Sequence, residues 1–450
     1  MTMQEQLGSN NEAVPIQTLK MRLVSIFHLL SGSFGNAAIM LVSVAIAARA
    51  LGPEAYGIMV LILAYGRTVE RLLRFESWQP LIRFTAAEEA RADPVTIGRL
   101  YAFGLLLDMA SALASAFVAM GLVVLLGPLF GLQTVHLELV GIYCLALVIN
   151  ITGVPTAALR MAGRFRTLAY SQLAANLLRI GLAAACAAFS PTLISFIWAW
   201  TLAQGAGSIL FIWLGFRALR VRGVADPLRV RWTGLRDQFP GFLSFAWSTN
   251  LSMTLRTLTQ DADSLLVGAL AGPSAASFYH IAKRIGKVAQ QVGAQVQAVI
   301  YPDVARIWTH GQVERFRSTI LHTQAALGAV GLLALASAWL IGPWLIAIGP
   351  GADYLAAYPL LMTQLVAVLL TMHAAPSRSA LLAMGRPGLV LKVAVLGVAG
   401  FFITAFAAIP VNGAIGANIA HIVLAAITAL LLDIAWLRGS RQVDVRPAAA

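Results

Sequence analysis

Basic side chains recur at helical spacing inside a long apolar stretch of the sequence, where a membrane-spanning segment ordinarily carries none. Arg67, Arg71 and Arg74 follow one another at intervals of four and three residues, and Glu70 lies among them. This spacing places the four side chains on one face of an α-helix. Guanidinium groups bind phosphates and carboxylates, often through two parallel hydrogen bonds. The stripe therefore predicts a binding site for an anion.

A second basic stripe lies about 220 residues further along the chain. Lys283, Arg284 and Lys287 share a helical face there, and none of them has an acid within one turn. Each cation would cost about 2.5–3.5 kcal/mol at the centre of a lipid-facing helix, so we expect all of them to face a hydrated chamber. Arg179 and Arg256 are lesser candidates for the same chamber. The predicted substrate-binding residues are Arg67, Arg71, Arg74, Arg179, Arg256, Lys283, Arg284 and Lys287.

Acids are fewer than bases in these apolar stretches, so we expect the chamber to carry a net positive charge. Glu70 and Asp263 are the candidates for coupling transport to H+ or Na+. Either acid could instead be a structural counter-charge, and Arg67 or Arg71 could pair with Glu70 on its own helix. The intramembrane acids are Glu70, Glu76, Asp108, Asp261 and Asp263.

The composition excludes a water-soluble protein. Of 450 residues, 59% are hydrophobic and 11% are charged, whereas soluble proteins carry about 25% charged residues. A soluble Rossmann enzyme, a disulfide scaffold and a disordered chain are therefore ruled out. The net charge of +13 follows from the basic cytoplasmic loops of membrane proteins, so we expect no nucleic-acid partner. The sequence predicts an all-α polytopic membrane protein.

Twelve apolar runs are long enough to cross a bilayer, which takes about 20 residues. Of the 32 Lys and Arg residues, 22 fall on one side of the resulting topology and one, Arg49, on the other. This asymmetry predicts that both termini are cytoplasmic. The predicted helices cover residues 23–48, 55–84, 96–126, 137–159, 168–189, 193–216, 241–270, 275–301, 319–348, 354–383, 389–409 and 414–437.

An internal repeat divides these helices into two groups of six. Gly52-Pro53 recurs as Gly272-Pro273, and Gly163-Arg164 recurs as Gly385-Arg386, at offsets of 220 and 222 residues. Parallel repeats of this kind are typical of transporters, with the substrate site between the lobes. The predicted organisation is a cytoplasmic tail (1–20), an N-lobe (21–216), a basic interlobe loop (217–240), a C-lobe (241–438) and a second cytoplasmic tail (439–450).

Signals of catalysis are absent from the sequence. It has no phosphate-binding glycine loop, no H-E-x-x-H zinc motif and no nucleophile elbow. Its two cysteines, Cys144 and Cys186, lie in apolar stretches and form no ligand pair. The seven histidines show no metal-ligand spacing, and we interpret most of them as packing residues. We expect neither enzyme activity nor a cofactor.

Two passages resemble the polysaccharide transporter family, the oligosaccharide flippases of the multidrug/oligosaccharidyl-lipid/polysaccharide (MOP) exporter superfamily. The first reads ARALGPEAYG at residues 48–57. The second runs from DSLLVG at 263–268, through AGP at 271–273, to YHIAKR at 279–284. It is similar to the family passage D-x-h-h-h-G…G…Y…A-x-R, in which h is an apolar residue. The six-plus-six arrangement extends the resemblance over nearly the whole chain.

This resemblance implies which molecule the protein transports and which membrane that molecule crosses. The substrate would be an undecaprenyl-diphosphate-linked oligosaccharide, flipped across the bacterial inner membrane by alternating access for O-antigen, capsule or exopolysaccharide assembly. Its diphosphate would occupy the cationic chamber, while its polyprenyl tail stayed among the membrane lipids. A polysaccharide polymerase and export machinery would be the protein partners.

Several other transporter and enzyme classes compete with this interpretation. The main alternative is an ion-coupled multidrug/cation antiporter of the same superfamily, which would have an acidic chamber. A major-facilitator transporter would carry a glycine-containing charged motif after the second helix, and a lipid II flippase typically has fourteen helices. A membrane glycosyltransferase would need a larger outer domain than the short loops predicted here.

Overall fold

The computed structural model describes residues 19–75, 77–89, 93–257 and 259–444, and these ranges contain helices and no strand. The all-α prediction is therefore confirmed for this part of the chain. Short 3-10 turns join some of the helices. The α-helices are α1 (Leu19–Leu73), α2 (Trp78–Glu89), α3 (Pro94–Leu126), α4 (Leu137–Ile149), α5 (Gly153–Met161), α6 (Phe165–Phe189), α7 (Leu193–Val221), α8 (Leu235–Gln238), α9 (Phe242–Thr257), α10 (Thr259–Ala271), α11 (Pro273–Thr309), α12 (Val313–Ile348), α13 (Ala357–Ala383), α14 (Pro387–Asn412) and α15 (Ala414–Asp444).

Nine helical stretches in the described ranges are long and apolar enough to cross a membrane. The chain is therefore a multi-pass membrane protein. The first candidate, Ala37–Glu88, covers the end of the first predicted span and all of the second, and the predicted spans at 241–270 and 275–301 are not among the nine. These differences explain why nine candidate spans are found where twelve were predicted. The number of twelve and the N-in, C-in orientation stay predictions.

A loop residue fixes the start of α3 by hydrogen bonding. Asp93 precedes α3 and accepts hydrogen bonds from the backbone N–H groups of Val95 (3.0 Å) and Thr96 (3.1 Å), with Pro94 as the first helical residue. Such a cap satisfies N–H groups that have no partner within the helix. The Thr96 hydroxyl and the Val95 N–H hold the pKa of Asp93 below its usual range.

The repeated glycine turns have matching backbones. Gly52 (φ 72°, ψ 172°) interrupts α1, and Gly272 (φ 89°, ψ 171°) precedes α11; each is followed by proline. Positive φ favours glycine because it has no Cβ. Gly163 (φ 67°) and Gly385 (φ 71°) also match. The backbone therefore repeats where the sequence repeats, while the division into two lobes stays a prediction.

Helices are broken in the first half of the chain where their counterparts in the second half are continuous. α1 ends at Leu73 before α2, and α4 ends at Ile149 before α5, whereas α11 and α13 run unbroken through the corresponding residues. Asp108 of α3 joins the two breaks, because its carboxylate accepts from Ser77 N (3.2 Å) and Val154 N (2.9 Å). The buried Asp108 thus caps α2 and α5 together.

Both halves of the chain contribute extensively to the apolar core at one end, among the described residues. The largest buried cluster includes Ala48 and Tyr56 of α1 together with Tyr279 and Tyr354 of the second half. It surrounds the end that carries the glycine turns, which is the outer end in the predicted topology. At the opposite end, one cluster lies within residues 81–242, where Phe242 of α9 is the contribution of the second half, and another lies within residues 304–436. The more extensive junction between the halves is therefore at the predicted outer end.

Candidate functional site

A cavity of about 50 Å³ lies between α11 and the helices of the first half, which is room for a few water molecules. Three guanidinium groups line it, from Arg67 on α1, Arg179 on α6 and Arg284 on α11. The lining residues include no carboxylate. The structure thus brings together three of the predicted cations from three separate helices. The other polar lining residues are Ser43, Tyr56, Tyr143, Gln204 and His280.

Arg284 hydrogen-bonds to neutral partners. Its Nε donates to Nε2 of His280 (3.0 Å), and its Nη1 lies 3.4 Å from the sulfur of Met40. Since His280 accepts at Nε2, its ring proton lies on Nδ1, which is 2.9 Å from the Tyr56 hydroxyl. The imidazole is therefore neutral and leaves the charge of Arg284 uncancelled.

Arg179 is also held by neutral groups. Its Nη1 donates to the side-chain oxygen of Asn176 (3.1 Å), and its guanidinium lies 5.7 Å from the centre of the Trp200 ring. The Nε atom is buried and has no hydrogen-bond partner among the described residues. An anion in the cavity could accept from it.

Arg67 and Arg71 lie beside an acid that the sequence interpretation had not paired with them. Their Nε atoms are 3.5 Å and 2.9 Å from the carboxylate oxygens of Asp261 on α10. The suggested intrahelical pairing with Glu70 was therefore wrong for both arginines. One carboxylate is shared between two cations, so this group retains a positive charge.

Arg74 lies at the break between α4 and α5 and is not among the cavity-lining residues. It donates to Glu70 (2.8 Å), to the carbonyl oxygen of Asn150 (3.1 Å) and to the hydroxyl of Thr152. Glu70 also accepts from the side-chain amide of Asn150 (2.6 Å). These contacts favour the structural interpretation of Glu70, with Arg74 as its partner.

Lys283 is paired, contrary to the expectation that it has no compensating acid. Its Nζ lies 2.6 Å from Asp263, which is fully buried on α10. The Tyr279 hydroxyl (2.7 Å) and His421 Nε2 (2.9 Å) bind the same carboxylate oxygen. The partner was missed because it lies across the Gly272 turn and not within a turn of the same helix.

Of the remaining predicted cations, Lys287 is not among the residues that line the cavity. Lys287 follows Lys283 by one turn of α11 and has an exposed side chain. The side chain of Arg256 and residue Glu76 lie outside the described part of the chain. Among the described residues, seven of the predicted cations stand against four intramembrane acids (Glu70, Asp108, Asp261 and Asp263), an excess of three positive charges.

Two functional candidates in this region were missed by sequence reasoning. Tyr56 lines the cavity beside His280, and His421 binds Asp263. A histidine in an apolar helix is itself a signal of this kind, because ionisable residues at membrane depth tend to have polar partners. In the described ranges no group of three or more His, Cys, Asp or Glu side chains could hold a metal ion.

The sequence matches a known protein family and a curated bacterial protein. Residues 46–359 match the family described as "Polysaccharide biosynthesis protein". The chain is 24% identical over 333 residues to Inner membrane protein YghQ of Escherichia coli (strain K12), which covers 74% of this chain and 93% of that protein.

Solved membrane transporters share the fold. An inward-facing multidrug resistance MATE family transporter of the MOP superfamily aligns with a TM-score of 0.68 and 14% identity, over 91% of this chain and 94% of its own. The lipid II flippase MurJ in an inward closed conformation aligns with a TM-score of 0.66 and 14% identity, over 93% of this chain and 91% of its own. A MOP superfamily transporter of Pyrococcus furiosus aligns with a TM-score of 0.60 and 15% identity, over 93% of this chain and 95% of its own. It is described as having a binding pocket of reverse polarity.

Proposed function

The chain belongs to the polysaccharide biosynthesis protein family, and from this premise we propose that it flips undecaprenyl-diphosphate-linked oligosaccharides across the bacterial inner membrane. It is a transporter of the MOP superfamily and not an enzyme. The glycan would serve O-antigen, capsule or exopolysaccharide assembly, where a polymerase would receive it.

The cavity lined by Arg67, Arg179 and Arg284 carries the proposal. A diphosphate offers several anionic oxygens, and guanidinium groups converging from three helices could donate to more than one of them. A lining without a carboxylate suits an anion and disfavours the alternative, a cation antiporter. Hydrogen-bonding partners of Arg284 are neutral, so its charge remains for the cargo.

The proposed transport cycle is alternating access between the two halves. The halves share a core at the predicted outer end, so the headgroup would enter from the cytoplasmic side. The polyprenyl tail would remain in the membrane beside the moving headgroup. Transfer would require the contacts at the outer end to open after the diphosphate binds.

The test compares Arg284→Gln with Arg315→Gln, a matched control on the exposed start of α12. In cells lacking the native gene, we expect Arg284→Gln to abolish surface glycan and to leave lipid-linked oligosaccharide inside. Arg315→Gln should export normally, and both proteins should reach the membrane in equal amounts. Full export by Arg284→Gln would contradict the proposal.

Binding by the purified protein separates headgroup recognition from transport. We expect undecaprenyl diphosphate to bind more tightly than undecaprenol, which lacks phosphate. Arg284→Gln should weaken the diphosphate complex by about tenfold or more, because a hydrogen bond to a charged group contributes about 1.5–3 kcal/mol. Equal binding of the two lipids would exclude the cationic cavity as the headgroup site.

A further inference from the structure

A second polar centre lies inside the second half of the chain, apart from the arginine-lined cavity. Asp433 of α15, His373 and Ser377 of α13 and Gln324 of α12 meet there. The sequence analysis singled out none of these four residues. Apolar clusters border the centre on both sides, one containing Phe316 and Trp436 and the other Leu327 and Met372.

Hydrogen-bond donors surround the carboxylate of Asp433. Oδ1 accepts from the side-chain amide of Gln324 (3.0 Å), from the Ser377 hydroxyl and from Trp436 Nε1 (3.3 Å). Oδ2 lies 2.9 Å from Nε2 of His373. These donors satisfy both carboxylate oxygens.

We propose that His373 and Asp433 form a proton-binding site within the second half of the protein. In the unprotonated state, Nε2–H of His373 donates to Asp433 and Nδ1 is free to accept. Uptake of one proton at Nδ1 turns the ring into an imidazolium paired with the aspartate. The pair then changes from one negative charge to none, which favours uptake in an apolar surrounding.

The donor-rich geometry argues against an alkali cation as the ligand. A hard cation requires several oxygen ligands around it. Gln324 presents its amide nitrogen to Asp433, and Trp436 can only donate. A proton needs no oxygen cage and binds directly to the free ring nitrogen. The side chain of His373 is 39% exposed, against 25% for Asp433, so the histidine is the accessible member of the pair.

Other titratable groups on the packed helices point elsewhere. Arg378 follows Ser377 by one residue, which turns it about 100° around α13, and it has other interactions. His322 of α12 lies 3.1 Å from Ser318 at an exposed position. α11 presents Val292 and Val296 to this region. The remaining charged groups on the neighbouring helices include Lys392 of α14 and Arg438 of α15, both exposed.

The experiment is a pH titration of the full-length protein, labelled with 15N-histidine and reconstituted in nanodiscs. His373→Gln identifies the His373 resonance, and the exposed His322 serves as an internal control. We expect the His373 resonance of the wild type to report uptake of one proton as the pH falls. In Asp433→Asn, its midpoint should fall by about one pH unit or more because the opposite charge is lost. The His322 midpoint should not move.

Two outcomes would overturn the proposal. One is an unchanged His373 midpoint in Asp433→Asn. The other needs only the wild type, so it holds even if Asp433→Asn does not fold: a midpoint that shifts when Na+ replaces K+ at constant ionic strength would identify an alkali-cation site. The titration requires no cargo, so its result is independent of the proposed export function.

Discussion

Asp263 and Arg284 show two opposite solutions for a charged side chain inside a membrane protein. Asp263 is fully buried and is bound by Lys283, Tyr279 and His421 from two other helices. Arg284 donates to a histidine nitrogen and approaches a thioether, both neutral. The first arrangement stabilises the fold, and the second leaves a charge available to a ligand.

Removing Asp263 should destabilise the protein strongly. Asp263→Ala leaves Lys283 without its acid, and breaking a buried pair costs about 3–5 kcal/mol. Thermal unfolding in detergent should therefore begin at a lower temperature, and adding Lys283→Met should recover part of the loss.

Glu314→Ala is the matched control for this experiment. Glu314 pairs with Arg317 at 2.8 Å but is 85% exposed, so its loss should cost less than about 1 kcal/mol. If Asp263→Ala were as stable as the control, the structural role of Asp263 would be disproved and its predicted role in ion coupling would regain support.

Sequence reasoning succeeded for residues whose partners follow from helical spacing and failed for those held by distant helices. The periodicity of α1 and α11 put Arg67 and Arg284 on polar faces, and both line the cavity. Spacing cannot identify His421 as a partner of Asp263, because 158 residues separate them. The resemblance to a family gave the fold class and the transporter class, but no side-chain contact.

At the scale of the helices, one carboxylate stabilises two broken segments. Asp108 caps α2 and α5, and Gly153 allows its approach, since a Cβ there would lie 2.6 Å from both carboxylate oxygens. The corresponding stretch of the second half, around Val330 of α12, has no acid, and its helices are continuous. The predicted spans were unbroken because Arg74 continued the polar stripe of one helix, and Asn150 and Thr152 do not by themselves end a helix.

Substituting Asp108 should loosen both breaks at once. Asp108→Ala removes two capping interactions of about 1 kcal/mol each, so we expect a loss of about 2 kcal/mol in unfolding free energy. Amide hydrogen exchange should accelerate at Ser77 and Val154 together.

Ser115→Ala on the same helix is a suitable comparison. Its hydroxyl donates to Ser111 within α3, so its removal should leave exchange at Ser77 and Val154 unchanged. Exchange that remained slow at both amides in Asp108→Ala would refute the shared cap.

At the scale of the molecule, Gly57 determines how closely the two halves approach. A Cβ on Gly57 would overlap the carbonyl group of Pro273, because the two would be closer than Cβ atoms come to other atoms in real proteins. Tyr354 donates to the Ala48 carbonyl (2.9 Å) and Arg49 to that of Ala347 (3.3 Å) at the same end. Closure at this end therefore requires glycine.

Gly57→Ala should open the predicted outer end. Ser43 lines the cavity and is 1% exposed, so Ser43→Cys, in a chain with Cys144 and Cys186 replaced by alanine, reports access. We expect a membrane-impermeant maleimide, added outside cells, to label this cysteine several-fold faster with Gly57→Ala. Gly121→Ala, where a Cβ meets nothing within 4 Å, should label at the original rate. Equal labelling rates in the Ser43→Cys protein alone, with Gly57→Ala and with Gly121→Ala would contradict the proposed closure.

The contacts named at this end have a consequence for the surroundings in which the protein works. Tyr354 and Arg49 donate to main-chain carbonyls, and Gly57 meets the main chain of Pro273. Dissolved ions weaken attraction between exposed opposite charges, but these neutral acceptors offer no such pair. We therefore expect these contacts to hold equally well at low and at high ionic strength of the surrounding water.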